Sequence, residues 1–159
     1  MLSEEELWQK LHAIPDPEIP TIDIVELGIV RALDLSDSQV VVTITPTYSG
    51  CPAMHMIEGQ IRESLSAADS RTIVIKTVHA PAWTTDWLTP EAKEKLRVGK
   101  IAPPAHAAGE FVAIGKRRIE CPYCRSLKTE LQSEFGSTAC KALYLCKECQ
   151  QPFDYFKPF

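Results

Sequence analysis

Leu7, Leu11 and Ile14 recur at helical spacing behind Ser3 and Glu6, and Pro15 and Pro17 stop the run. Ser3 and Glu6 form a capping-box pattern, so this stretch predicts a first helix. The chain then turns β-branched and aliphatic from Ile29 to Leu35 and from Gln39 to Thr45, around the polar Ser36-Asp37-Ser38, which predicts a hairpin. Pro52, read as a first helical residue, precedes Met54, Ile57, Ile61 and Leu65 on one face and predicts a second helix. Arg71 to His79 reads as a third strand, and Thr89-Pro90-Glu91 opens a short polar helix ending near Gly99. The order αββαβ, with helices on one face of a small sheet, predicts an α+β two-layer fold.

Past Gly99 the pattern changes. Residues 99–115, with Pro103-Pro104 and many Ala and Gly, show no amphipathic period, and five of the six cysteines lie beyond them. This reading divides the chain into an α+β domain at 1–100, a linker at 101–117 and a ribbon-like mini-domain at 118–159. Some forty residues bury too little apolar surface to fold without a staple. Cys121-Pro-Tyr-Cys124 and Cys146-Lys-Glu-Cys149 supply one: two CxxC pairs, 21 residues apart, let four thiolates converge on a tetrahedral ion. Strand-like runs at Lys128 to Phe135, Ala142 to Leu145 and Phe153 to Phe156 fit a zinc ribbon. Iron suits the same donors. Two disulfides are the alternative, and a reducing cytosol disfavours them. A closed site of this kind folds its segment and presents a surface; it offers no open position for catalysis.

Charge sharpens the division. Residues 1–110 carry nine Lys/Arg against sixteen Asp/Glu, while residues 111–159 carry eight against five. The acidic larger part argues against nucleic acid as a main partner; Lys116, Arg117, Arg118 and Arg125 keep a nucleic-acid-binding ribbon open as a rival, though such groups usually form a solvated face. The acidic Met1-Leu2-Ser3-Glu4-Glu5-Glu6 and the lack of an apolar run of membrane-spanning length lead to the expectation of a cytoplasmic chain with no membrane partner.

Cys51 stands alone in the acidic part, between a Thr/Ser-rich strand end and a helix N-terminus. Amides and the helix dipole there favour a thiolate, a nucleophile or soft ligand; a packed thiol at a helix cap is the plain alternative. His55, four residues on, and His79 are available bases, but no acid is placed to orient either, so Cys–His catalysis has little support. Thr47 and Ser49 lie within hydrogen-bonding reach in sequence. Cys140, before the second CxxC and beside Lys141, reads either as a buried small hydrophobe or as an extra thiolate near the metal. The Trp83-Thr84-Thr85-Asp86-Trp87 cluster either covers the Cys51 site, meets a partner or caps the core.

Asp16-Pro17-Glu18-Ile19-Pro20, Leu27-Gly28-Ile29-Val30 and Thr45-Pro46-Thr47-Tyr48-Ser49-Gly50-Cys51-Pro52, in that order, resemble the signature of the iron–sulfur-assembly domain of SufT-like proteins and eukaryotic cytosolic targeting factors. Pro81 to Leu88, Glu134 to Tyr144 and the closing Phe153-Asp154-Tyr155-Phe156-Lys157 resemble the PaaD family of phenylacetate degradation. The resemblance implies a non-catalytic accessory role beside the monooxygenase that converts phenylacetyl-CoA to its ring epoxide. That role is either insertion of a transient Fe–S cluster, with the iron–sulfur reductase component as client, or membership as a structural or electron-transfer subunit. It points to Cys51 as the reactive thiol, with Asp16, Glu18, Thr47, Ser49, Trp83 and Asp86 in support. The linker offers only His106 where some relatives carry more Cys and His. No Glu-x-x-His pair of a di-iron bundle occurs. Clusters are held by four ligands, so a carrier needs a second protomer, Cys140 or the client beside Cys51.

Overall fold

A computed structural model describes residues 1–104 and 118–158. The chain forms two compact units, Met1–Leu88 and Thr89–Phe159.

The first unit follows the expected αββαβ order. Helix α1 (Glu4–His12) starts at a complete capping box: Ser3 Oγ accepts the Glu6 amide at 3.3 Å, and the Ser3 amide donates to Glu6 Oε2 at 2.8 Å. Leu7 and Leu11 are fully buried. Strands β1 (Val30–Leu35) and β2 (Gln39–Ile44) pair antiparallel, from Leu35 opposite Val40 to Val30 opposite Ile44, with a bulge between Val30 and Ala32. β3 (Thr72–Thr77) pairs parallel with β2, which requires a crossover, and α2 (Ala53–Ser66) provides it. The sheet order is β1-β2-β3. Alternation buries Val40, Val42, Ile44 and Ile73, while Ile57, Ile61 and Leu65 form the buried stripe of α2. Pro52 stands one position before its expected place, at the N-cap of α2, and the Met54 amide reaches back to the Cys51 carbonyl at 3.3 Å.

Between α1 and β1 the chain has no regular period, yet Ile19, Ile22, Ile24 and Leu27 are buried. The Asp16 carboxylate, itself buried, holds this turn by accepting the Glu18 and Ile19 amides at 2.9 and 2.8 Å. The chain start is tied down too: Asp69 Oδ2 accepts the Leu2 amide at 2.7 Å, and Arg71 bonds both Asp69 and the Leu2 carbonyl.

The second unit holds a sheet of order β4-β7-β6-β5, with β4 at Ile101–Ala102, β5 at Thr129–Ser133, β6 at Lys141–Cys146 and β7 at Pro152–Phe156. Helix α3 (Pro90–Val98), capped by Thr89, belongs to this unit, whereas the sequence reading ends the first domain at residue 100. The reason is β4, which pairs with Asp154 and Tyr155 and places Ala102 in the second core. Thus part of the expected linker is a strand, and residues 105–117, including His106, Lys116 and Arg117, lie outside the described residues. Tyr144 packs against Phe153 at 5.9 Å and edge-on to Tyr155 at 5.6 Å between ring centroids.

Candidate metal centre and the Cys51 turn

Each CxxC lies in a six-residue loop closed by the same bond. The Cys121 amide donates to the Ser126 carbonyl and the Cys146 amide to the Gln151 carbonyl, both at 3.0 Å. Each loop turns back through a left-handed residue just after its second cysteine, Arg125 at φ 67° and Gln150 at φ 61°. Neither is glycine or asparagine, so the sequence carries no signal for them. β6 delivers Cys146 on the face that bears Ala142 and Tyr144, and all three are in the core with Cys121.

The two loops bring the four sulfurs within 4.8 Å of one another. Cys124 and Cys146 are 3.6 Å apart and Cys121 and Cys149 3.7 Å, far beyond a disulfide bond. Four sulfurs bound tetrahedrally to zinc at about 2.3 Å lie about 3.8 Å apart, so the donor set fits a four-thiolate ion. The expected ligands Cys121, Cys124, Cys146 and Cys149 therefore come together.

The thiols compete for charge. At Cys146 burial opposes ionisation, but the Cys149 and Glu148 amides and the Cys124 thiol outweigh it and bring the group down to about 7. The Gln151 amide favours a thiolate at Cys149, yet burial and the Cys124, Cys146 and Cys121 sulfurs push it up to about 12. Cys124 is also raised: the Ser126 amide favours its thiolate, but burial and the Cys146 and Cys121 sulfurs prevail. Thiols this close ionise together only around a cation, which supplies the missing positive charge.

Cys140 takes no part in this group. It precedes β6 while Cys146 ends it, six residues along a strand or about 20 Å. It is 3% exposed, with its sulfur 2.9 Å from Thr138 Oγ1, as a packed thiol would be. The turn around it is built on Asp154, which accepts Ser137 Oγ at 3.0 Å and leaves no room for a side chain at Gly136, where a Cβ would lie 2.5 Å from Asp154 Oδ1. Three cations on or beside the loops are paired: Arg125 with Glu120 at 3.0 Å, Lys128 with Glu148 at 2.7 Å, Lys147 with Glu130 at 2.9 Å.

In the first unit Cys51 is half-buried and follows a turn in which its amide donates to the Tyr48 carbonyl at 3.3 Å. Gly50 turns the chain at φ +78°. Thr47 is half-buried and Ser49 exposed on the same loop, while His55 and His79 are both exposed. Among the described residues, no group of three His, Cys, Asp or Glu donors forms around Cys51. Asp16 holds its own turn, and Glu18 is half-buried beside it. Trp83 caps the core: it is 5% exposed and its Nε1 donates to the Leu27 carbonyl at 2.8 Å. Gly28, at φ +79°, lies against Trp83 and Trp87, and the Arg31 guanidinium sits 3.6 Å over the Trp87 ring. Asp86 is exposed in the short 3-10 turn Thr85–Trp87. The Leu27-Gly28 and Pro81–Leu88 segments are therefore one packed arrangement, a pairing that neither motif reveals alone.

Comparison with known proteins matches the same two parts. Residues 4–74 match an iron–sulfur cluster assembly protein family, and residues 106–157 match the PaaD zinc beta ribbon domain. A protein of Escherichia coli (strain K12), provisionally named as a component of 1,2-phenylacetyl-CoA epoxidase, is 48% identical over 96% of this chain and 91% of its own length. An Fe–S protein maturation auxiliary factor of Porphyromonas gingivalis is 30% identical over 59% of this chain and 90% of its own. A crystal structure of a domain of unknown function, DUF59, from Bacillus anthracis superposes with a TM-score of 0.55 at 31% identity, covering 58% of this chain and 90% of that one. With both domain types in order and a relative this similar along nearly its whole length, the chain belongs to the PaaD family.

Proposed function

We propose that this protein is a non-catalytic accessory factor of phenylacetate catabolism that assists assembly or insertion of an iron–sulfur cluster in the phenylacetyl-CoA ring-epoxidising monooxygenase, with the reductase component as client. The observation that carries this reading is the division of thiols between the units: four of the second unit gather in one closed group, while Cys51 of the first unit is not in that group and lies half-buried on the turn before α2. Among the described residues Cys51 belongs to no group of three His, Cys, Asp or Glu donors, which suits a thiol that completes a site on another protein. The maturation-factor name of the Porphyromonas gingivalis relative and the epoxidase name of the Escherichia coli relative support the two halves of the proposal.

Cys51 acts here as a transient cluster ligand, with Thr47 and Ser49 shaping its loop. Asp16, Glu18, Trp83 and Asp86 keep the surrounding turns in place. A cluster needs four ligands, so the remaining ones come from a second protomer or from the client. Cys140 is too enclosed to serve. A zinc ion held by Cys121, Cys124, Cys146 and Cys149 supplies folding energy to the second unit and offers no open position for substrate. The matched ion pairs around that site weigh against a phosphate-binding face.

A second reading, membership of the monooxygenase as a structural or electron-transfer subunit, rests on the Escherichia coli relative's name. One experiment separates the two. Reductase purified from cells lacking this protein should carry less iron and acid-labile sulfide per mole than reductase from cells that have it. Equal loading, with stoichiometric co-purification of this protein in the active complex, would overturn the maturation reading in favour of the subunit.

A further inference from the structure

We propose that Cys124 is an oxidative modification site, with Cys146 as its resolving partner, through which a peroxide releases the metal ion of the second unit. The proposal rests on the four-thiolate centre and on no assumption about the client.

The four ligands are not equivalent. Cys121 and Cys146 are fully buried, Cys149 is half-buried, and Cys124 is exposed. The residues around it are open to solvent as well: Tyr123 is 44% exposed and Leu127 51%. A small polar oxidant thus meets Cys124 first: with an ion bound all four sulfurs are thiolates, so access selects the one that is oxidised. Across the site the Cys146 sulfur, contributed by the other loop, lies 3.6 Å from that of Cys124. The second close pair, Cys121 and Cys149, also crosses between the loops. Oxidation should therefore link the two loops, whereas a pair of cysteines in one CxxC would be the habit of a dithiol redox motif.

The chemistry balances with hydrogen peroxide as the two-electron oxidant. The Cys124 thiolate attacks one peroxide oxygen, an S–O bond forms, the O–O bond breaks and hydroxide leaves, giving a sulfenic acid. The Cys146 thiolate attacks that sulfur, the S–S bond forms and the S–O bond breaks with loss of a second hydroxide. Two thiolates have then given up two electrons, and the site has lost two of its four donors. What remains no longer closes a tetrahedral shell, so the ion is released, and a dithiol reductant with fresh metal restores it.

The test uses the full metal-loaded chain, treated with hydrogen peroxide beside a chromophoric chelator, with samples alkylated at intervals and digested without reduction. Trypsin cuts after Arg118, Arg125, Lys141 and Lys147, placing Cys121 and Cys124 on one peptide, Cys146 on a second and Cys149 on a third. The expected result is a cross-link between the first and second peptides that fragmentation assigns to Cys124, growing in step with released metal and reversed by dithiothreitol. A Cys51→Ser chain should give the same cross-link at the same rate. A first disulfide between Cys121 and Cys124, a first cross-link through Cys149, or metal retained after Cys51 has been consumed would each overturn the proposal.

Discussion

The two units reach stability by different means. The first buries aliphatic side chains from a helix pair and a three-stranded sheet: Leu7, Leu11, Ile57, Ile61, Val40, Val42 and Ile44 are all fully buried. The second has a core of Tyr144, Phe153 and Tyr155 with small residues, and two of its fully buried core members are the metal ligands Cys121 and Cys146. Burial of apolar surface scales with what a unit can enclose, and on the proposed reading the second draws the rest from an ion held by its four thiolates. The lesson concerns cysteine: on the proposed reading the four of the ribbon hold a fold, and the thiol given other work is Cys51 of the first unit, whose core is aliphatic.

The sharpest way to break this comparison is to remove one ribbon ligand. Cys121→Ala or Cys146→Ala should abolish metal binding and unfold the second unit, because structural zinc contributes about 10–16 kcal/mol in small zinc domains. Heteronuclear NMR should show resonances of residues 1–88 in place while those of the second unit collapse; collapse of both would show that the units share one stability. Next in size, Leu11→Ala or Ile57→Ala should cost the first unit about 2–5 kcal/mol and leave metal content unchanged. Denaturant melts with metal analysis check this. Gly136→Ala should cost the second unit about 1–3 kcal/mol, because the new methyl meets Asp154 Oδ1 at 2.5 Å, and its metal affinity should fall with its stability.

Acid should part the units without any substitution. The Arg71 guanidinium, with the Arg71 and Leu2 amides, holds the Asp69 carboxyl well below the ordinary carboxylate range. Its contribution to the first unit is therefore complete above that ordinary range, fades progressively as pH falls below it and is gone only once pH has passed the depressed value. Ribbon thiolates take up protons and give up their ion at milder acidity, so the second unit should lose order first. Asp69→Asn should narrow the gap by weakening the first unit at neutral pH. The smallest expected effect on stability is that of Cys51→Ser, which should leave both units folded and metal-loaded by circular dichroism and metal analysis.

Much of this was legible in the chain. Periodicity gave away α1, β2 and α2, because each buries one face, β-branched and aliphatic runs gave away β1 and β3, and the CxxC spacing gave away the group of four sulfurs, because a tetrahedral ion admits few loop lengths. What stayed hidden lacks a period. Ile19, Ile22, Ile24 and Leu27 enter the core from turns fixed by Asp16, and a two-residue strand such as β4 is too short to alternate. The packing of Trp83 and Trp87 on Gly28 is a long-range contact that neither segment specifies alone. For Cys51 the loop was readable, but the role proposed for it needs ligands from another protein, which its own sequence does not carry.

The central claim is that Cys51 acts on a client while the ribbon thiols only hold a fold. The most direct test is the iron and acid-labile sulfide content of the monooxygenase reductase from cells producing the Cys51→Ser chain, shown to be folded and metal-loaded, beside cells producing the wild-type chain. The account predicts a reductase depleted of cluster in the Cys51→Ser cells. A reductase as fully loaded as that from wild-type cells would contradict it.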